Sequence, residues 1–377
     1  MKIAINTLFF IPGEVGGSET YLLEILREWK RQELPHDFIL FTNLENHERL
    51  SSEFAGEGWQ CVLCPFKARN RVIRILREQF ELPGKVRKSG ANVLWSPGYT
   101  APFFCGSPQV VSILDMQYKR FPQDLSFVGR FTTEVLVQAA SLRAKQLLTI
   151  SEFSKSEILR FTRAKADKIA VTPLAADPIF AEPFGGEPLI KDPYILCVAN
   201  TYPHKNVDQL VRAFVALEEQ IPHQLVLVGL PRLGEAAVQA ALRGLRDPNR
   251  FSRLSGLNRS HLVGLYQQAD LFAFPSLYEG FGLPVLEAML AGAPVLSTRC
   301  GSIPEVGGDY VKYVESNDDE AWVRALLQAL TTDYPHDERK GEAARKWREQ
   351  FVWTKTAKET FRALIGVVRH LPSSAWR

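Results

Sequence analysis

A chain of 377 residues with 46% hydrophobic content is long enough for about two domains with proper cores. Its 45 Lys and Arg against 42 Asp and Glu leave a net charge of only +3, which excludes a dedicated nucleic-acid binder of strongly basic character. No apolar run is long enough to cross a bilayer, so the expected place is cytoplasmic, with peripheral attachment to the inner face of the membrane left open.

The opening segment, MKIAINTLFFIPGEVGG, carries no cleavage-like site and reads as a buried strand over 2–9. It ends in a glycine pair, Gly16 and Gly17. A helix follows, with Ser18 as its N-cap and Leu22, Leu23, Ile25, Leu26 and Trp29 as its buried face. Such a turn is either a tight strand-to-helix connection or a place where a ligand meets bare backbone.

Further strands are predicted at 38–41, 60–63, 92–95, 109–113, 146–150 and 169–172, alternating with helical patterns. Between the second and third of these lies a basic stretch, residues 66–90. Lys67, Arg69, Arg71, Arg74, Arg77, Lys85, Arg87 and Lys88 stand against Glu78 and Glu81, a net of +6. With Val72, Ile73, Ile75, Leu76 and Phe80 as an apolar side, residues 67–88 suit a membrane surface or an acidic acceptor; a solvated face over the domain core is the competing reading. Asp115 follows the 109–113 strand and reads equally as a turn or cap residue. Ser154, with Glu157, reads as a helix N-cap in a capping box.

TPLAADPIFAEPFGGEPLIKDP, dense in proline and glycine, reads as a linker with a boundary near 183–191. A second strand series is predicted at 194–198, 224–228, 270–274, 294–297 and 311–314. Alternation of this kind gives two α/β domains with parallel sheets. Trp353, Ala357, Phe361, Leu364 and Val368 then mark an amphipathic helix. The five cysteines, Cys61, Cys64, Cys105, Cys197 and Cys300, are odd in number and mostly strand-borne, which points to free thiols in a reducing compartment. The CxxC of Cys61 and Cys64 has no companion pair, so no structural metal is expected.

The densest signal is PSLYEGFGLPVLEAMLAGAP, residues 275–294. Glu279 and Glu287 bracket a turn in which Gly280 and Gly282 admit a ligand to the backbone. Pro284 suits the first helical turn, whose free N–H groups favour phosphate. Upstream, YILCVANTYPHKNVDQLVRAF sets Lys205 at a helix entry directly after a strand, where it is either a solvated surface lysine or a point charge for a diphosphate.

Together these segments resemble the retaining nucleotide-sugar glycosyltransferases of the GT-B fold, family 4. The resemblance implies two doubly wound Rossmann-like domains facing each other across a cleft. Residues 1–185, completed by 357–377, would form the acceptor domain, and 186–356 the nucleotide-sugar donor domain. It places Lys205 on the donor phosphates, with Phe281, Gly282 and Leu283 supplying backbone N–H groups. Glu279 falls beside the donor sugar, Glu287 on the ribose and Leu257 by the base. Gly16 and Gly17 would face the diphosphate, with Glu19 and Asp115 on the acceptor side. Two positions depart from the family pattern: Leu114 stands where a histidine is usual, and Asn200 where an arginine often lies.

What the resemblance implies is a hexosyltransferase acting on a saccharide or lipid-linked acceptor, with GDP-mannose as the first donor candidate and surface polysaccharide as the setting. No metal and no nucleic acid are implied; the nucleotide sugar is a co-substrate. A nucleotide-sugar epimerase or phosphorylase on the same fold, and a non-catalytic nucleotide-sugar binder, stand as alternatives.

Overall fold

The computed structural model describes residues 1–14, 16–124, 126–314, 318–331 and 349–368. Two compact units emerge, one from Met1–Leu174 with the helix Trp353–Gly366, the other within Ala175–Val352.

The first unit is a parallel seven-stranded sheet: β1 (Lys2–Asn6), β2 (Asp37–Thr42), β3 (Trp59–Leu63), β4 (Val93–Ser96), β5 (Gln109–Ser112), β6 (Gln146–Thr149) and β7 (Ile169–Val171). Their order is β3-β2-β1-β4-β5-β6-β7, so the winding direction reverses between β1 and β4. Runs such as Ile3-Ala4-Ile5 and Val93-Leu94-Trp95 are wholly buried, as expected of strands covered on both faces. The first strand ends at Asn6, earlier than the apolar run suggests. Asn43 and Asn46 explain this, because their amides bond the carbonyls of Thr7, Leu8 and Phe10 and hold that stretch in a turn.

The helix Gly17–Arg31 buries the expected face, with Tyr21 added. Its N-cap is Gly16 rather than Ser18, which already lies in the first turn. Trp29 organises the packing beyond it, stacking on Phe38 at 5.4 Å and meeting Trp95 at 5.2 Å and Phe361 at 5.9 Å. Its indole N–H donates to the Ala357 carbonyl at 3.0 Å, which binds the helix Trp353–Gly366 to this unit.

The second unit holds six parallel strands: β8 (Tyr194–Val198), β9 (Gln224–Val228), β10 (Phe251–Leu254), β11 (Leu271–Phe274), β12 (Val295–Thr298) and β13 (Val311–Val314), ordered β10-β9-β8-β11-β12-β13. Here the reversal falls between β8 and β11. β10 is the strand that sequence patterning misses, since Phe251-Ser252-Arg253-Leu254 is half-buried throughout and lies at the sheet edge.

The units divide at Leu174 and Val352, not at 185 and 356. Part of the proline-rich stretch is packed rather than linking. Phe180 is buried edge-on against Tyr266, Asp177 pairs with Arg259, and Gln267 donates to the carbonyls of Phe180 and Glu182. At the other boundary, Trp353 is buried and the Thr356 hydroxyl donates to the Pro173 carbonyl, both within the first unit.

Candidate active site

In a doubly wound sheet the loops after the strands share the carboxyl edge, and the point of reversal is where a ligand finds room. In the second unit the two loops flanking that point are those after β8 and β11. They carry Lys205 and Glu279.

After β8 the chain turns through Pro203–Lys205 and enters the helix Val207–Leu217 by way of Asn206, at φ +53°. Asparagine tolerates this left-handed geometry better than most residues. The turn delivers Lys205 Nζ to 2.6 Å from Glu279 Oε1 and 5.3 Å from the Phe274 ring centroid. His204 beside it is buried, and burial together with the Lys205 charge pushes its imidazole down to about 3, so it stays neutral.

Glu279 is itself buried, and a second segment clamps its backbone. Ser302 donates to the Glu279 carbonyl through both N–H and hydroxyl, each at 3.1 Å. Gly301 makes this approach possible: at φ +59°, an added Cβ would stand 2.3 Å from that carbonyl oxygen. Cys300 completes the support. Its thiol donates to the Ser276 carbonyl at 2.8 Å, and burial pushes it up to about 12, so it remains protonated beside the carboxylate.

The chain then passes through Gly280 and Phe281, the latter buried against Phe351 at 5.6 Å. Gly282, at φ +93°, is the N-cap of the helix Leu283–Ala291, a conformation costly for any residue with a Cβ. Pro284 occupies the first turn. The positive end of this helix and the Lys205 ammonium are therefore both anchored to one loop.

Glu287 lies one turn into the helix, where its Oε2 accepts from the Tyr266 hydroxyl at 2.9 Å. Burial raises its carboxyl to about 7; Tyr266 and Arg259 oppose the rise, while Asp177 adds to it. Asn200 accepts from the Leu230 N–H at 2.7 Å, so where an arginine is usual there is a loop-holding amide. Leu257 follows Gly256, at φ +66°, in the loop after β10 on the same sheet edge.

The remaining expected residues belong to the first unit. Gly16 and Gly17 open the helix after β1. The Glu19 carboxylate turns back to accept from the Gly13 N–H at 2.7 Å and pairs with Arg49 at 2.7 Å, which ties down the loop. Asp115 accepts from the Gln117 N–H at 3.0 Å and lines a pocket of about 380 Å³ with Arg71, Arg74, Tyr99 and Tyr118. Leu114 is buried among core side chains. Ser154 is not the N-cap: Ser151 is, accepting from the Ser154 N–H at 3.0 Å, and Glu157 forms a two-pronged pair with Arg120.

Residues 66–90 do not lay their apolar side over the core. Val72, Ile73, Leu76 and Phe80 are exposed, the last at 80%, while Glu78, Leu82 and Val86 turn inward. Among the described residues no helix is long and apolar enough to cross a membrane.

Residues 182–347 match the family described as glycosyl transferases group 1, and residues 15–179 match Glycosyltransferase Family 4. The chain belongs to the family 4 glycosyltransferases. Within this family the O-antigen chain mannosyltransferase B of Escherichia coli is 34% identical over 242 residues, covering 58% of this chain and 60% of that protein. The MMP alpha-(1->4)-mannosyltransferase of Mycolicibacterium hassiacum is 32% identical over 223 residues, covering 57% and 52%. The chain thus spans little more than half the length of these curated relatives. The solved structure of Anabaena Alr3699/HepE in complex with UDP-glucose matches with a TM-score of 0.74 at 16% identity, over 97% of this chain and 100% of that one. That likeness shows the fold, which is GT-B.

For this family 4 chain, sequence reading overlooks His204, Tyr266, Cys300, Gly301 and Ser302. A signal existed for one pair only: Gly-Ser after the Val295–Thr298 strand has the small-residue character of a close approach.

Proposed function

We propose that the chain transfers a hexose from a nucleotide-diphosphate sugar to a hydroxyl of a saccharide or lipid-linked acceptor, with retention at the anomeric carbon, in polysaccharide or glycolipid assembly. The observation that carries this reading is the Lys205–Glu279 pair beside the Gly282 helix entry at the sheet's reversal point. The named mannosyltransferase relatives support GDP-mannose as the first donor to try.

Chemically, the bond from the anomeric carbon to the diphosphate oxygen breaks while the acceptor oxygen bonds to that carbon, and the acceptor proton passes to the departing diphosphate. Negative charge grows on the leaving group. Lys205 and the N–H groups of Phe281, Gly282 and Leu283 receive it, which is stabilisation by preorganised charge. Glu279 orients the donor sugar hydroxyls, and ionised Glu287 accepts from the ribose hydroxyls. With that much positive charge from the chain itself, the reading assigns no metal.

A place on the membrane surface is supported by Phe80, exposed at 80% within the basic stretch 67–88, and by Phe127 and Phe131, exposed at 84 and 65% on the helix Phe127–Arg143 that Arg71 contacts at Gly129. The transfer reading is tested by incubating the chain with GDP-mannose or a UDP-hexose and a hydroxyl acceptor. Nucleoside diphosphate and an α- or β-linked product matching the donor's configuration are expected. An isomerised nucleotide sugar would mark an epimerase, and turnover-free binding a binding protein.

A further inference from the structure

The pocket in the first unit holds two guanidinium groups that form no ion pair among the described residues. Arg71 and Arg74 sit one turn apart on the helix Arg71–Leu76 and both line it. Arg71 is fixed in place: its Nη2 donates to the Gly129 carbonyl at 3.0 Å and to the Thr133 hydroxyl, while its buried Nε has no partner. The Arg74 guanidinium makes no hydrogen bond and no ion pair among the described residues, and the only carboxyl whose charge acts on it is that of Glu78.

Acidic groups nearby cancel this charge only in part. Glu78 is buried beneath Arg74 and accepts from the Thr100 hydroxyl at 3.0 Å, and burial raises its carboxyl, which weakens it as a counter-charge. Glu134 is taken by Lys119 at 2.6 Å and by the Tyr118 hydroxyl at 3.1 Å. Asp115 lies at the pocket wall with its Oδ1 on the Gln117 N–H. Holding two like charges together, each partly stripped of water, is costly unless an anion relieves them.

Resting on the transferase reading above, we propose that this pocket binds the acceptor and that the acceptor carries a phosphate: Arg71 and Arg74 grip the phosphate oxygens while Asp115 takes a hydroxyl of the attached sugar. Guanidinium suits this, because its fork of N–H donors matches phosphate in a two-pronged manner. A volume of about 380 Å³ lies within the range of small-molecule sites and leaves room for a phosphate and the sugar unit that bears it. The phosphate comes either from a free sugar phosphate or from a lipid phosphodiester.

The experiment is isothermal titration of the full chain with three hexosides: a neutral alkyl glycoside, the free 1-phosphate, and the alkyl 1-phosphodiester. Both phosphorylated forms are expected to bind at least about tenfold more tightly than the neutral one, the scale of a charge-assisted contact. Tighter binding of the diester over the free phosphate identifies the lipid-linked source, and the reverse identifies the soluble one. Arg74→Gln, which leaves the bonds of Arg71 to Gly129 untouched, should erase most of the preference, and Arg74→Lys should keep part of it. Equal affinity for neutral and phosphorylated hexosides, or a preference unchanged in R74Q, overturns the proposal. A parallel titration with GDP and UDP decides the transferase reading separately: nucleotide binding without phosphate preference sinks only the acceptor assignment.

Discussion

Lys205 and Glu279 are 74 residues apart in the chain, yet their side chains meet at 2.6 Å where the second sheet reverses direction. Neither is fully exposed, so each is partly desolvated and depends on the other until a ligand arrives. A donor diphosphate entering here would share the ammonium and leave Glu279 free to turn toward sugar hydroxyls. On the proposed reading, the pair is a site held in readiness.

The ionisation of Glu287 sets a pH dependence. Its carboxyl, raised to about 7 by burial, is largely protonated at pH 6 and ionised at pH 8. Donor affinity should therefore strengthen as pH rises through 7, and Glu287→Gln should flatten that profile while weakening binding at pH 8. Calorimetric titration with the nucleotide at pH 6, 7 and 8 checks both.

Stability moves the other way. A carboxyl whose value is higher folded than unfolded binds more protons in the folded chain between about 4.5 and 7, so stability falls as pH rises across that window. Glu287→Gln removes the penalty. Its melting temperature relative to the parent should be more favourable at pH 8 than at pH 5, by thermal denaturation at the two values.

Two glycines should respond differently to the same substitution. Gly282→Ala meets only Ile303 at 3.6 Å, so its cost is the left-handed backbone, about 1–2 kcal/mol. Gly301→Ala adds to that a collision with the Glu279 carbonyl at 2.3 Å, which must displace the loop that carries Glu279. Turnover should fall much further in G301A than in G282A, as followed by nucleoside diphosphate release.

Much of this was legible in the residues. Strands of a parallel sheet announce themselves as apolar runs, so twelve of the thirteen strands among the described residues were expected, and Phe251–Leu254, an edge run broken by Ser252 and Arg253, was not. Glu279, the glycine turn and Glu287 lie close enough in sequence for their spacing to carry meaning. Tyr266 and Gly301-Ser302 do not, because their relation to the two glutamates exists only once β11, β12 and the helix Arg259–Gln268 are packed. Ser154 and Ser151 compete for the same cap, and the end of β6 at Thr149 settles the choice for the earlier serine.

The helix Trp353–Gly366 illustrates a contact of the longest range. Phe361 is fully buried against Trp29, whose indole bonds to the Ala357 carbonyl. Phe361→Ala should destabilise the first unit by about 3–5 kcal/mol, the usual cost of emptying a large aromatic site. Chemical denaturation followed by tryptophan fluorescence measures it.

The central claim is that Lys205 holds charge developing on the departing diphosphate, and the turnover of Lys205→Ala at saturating donor tests it most directly. A loss of roughly 10²–10³-fold in kcat is predicted, with the fold intact by circular dichroism. Turnover within about twofold of the parent would contradict it.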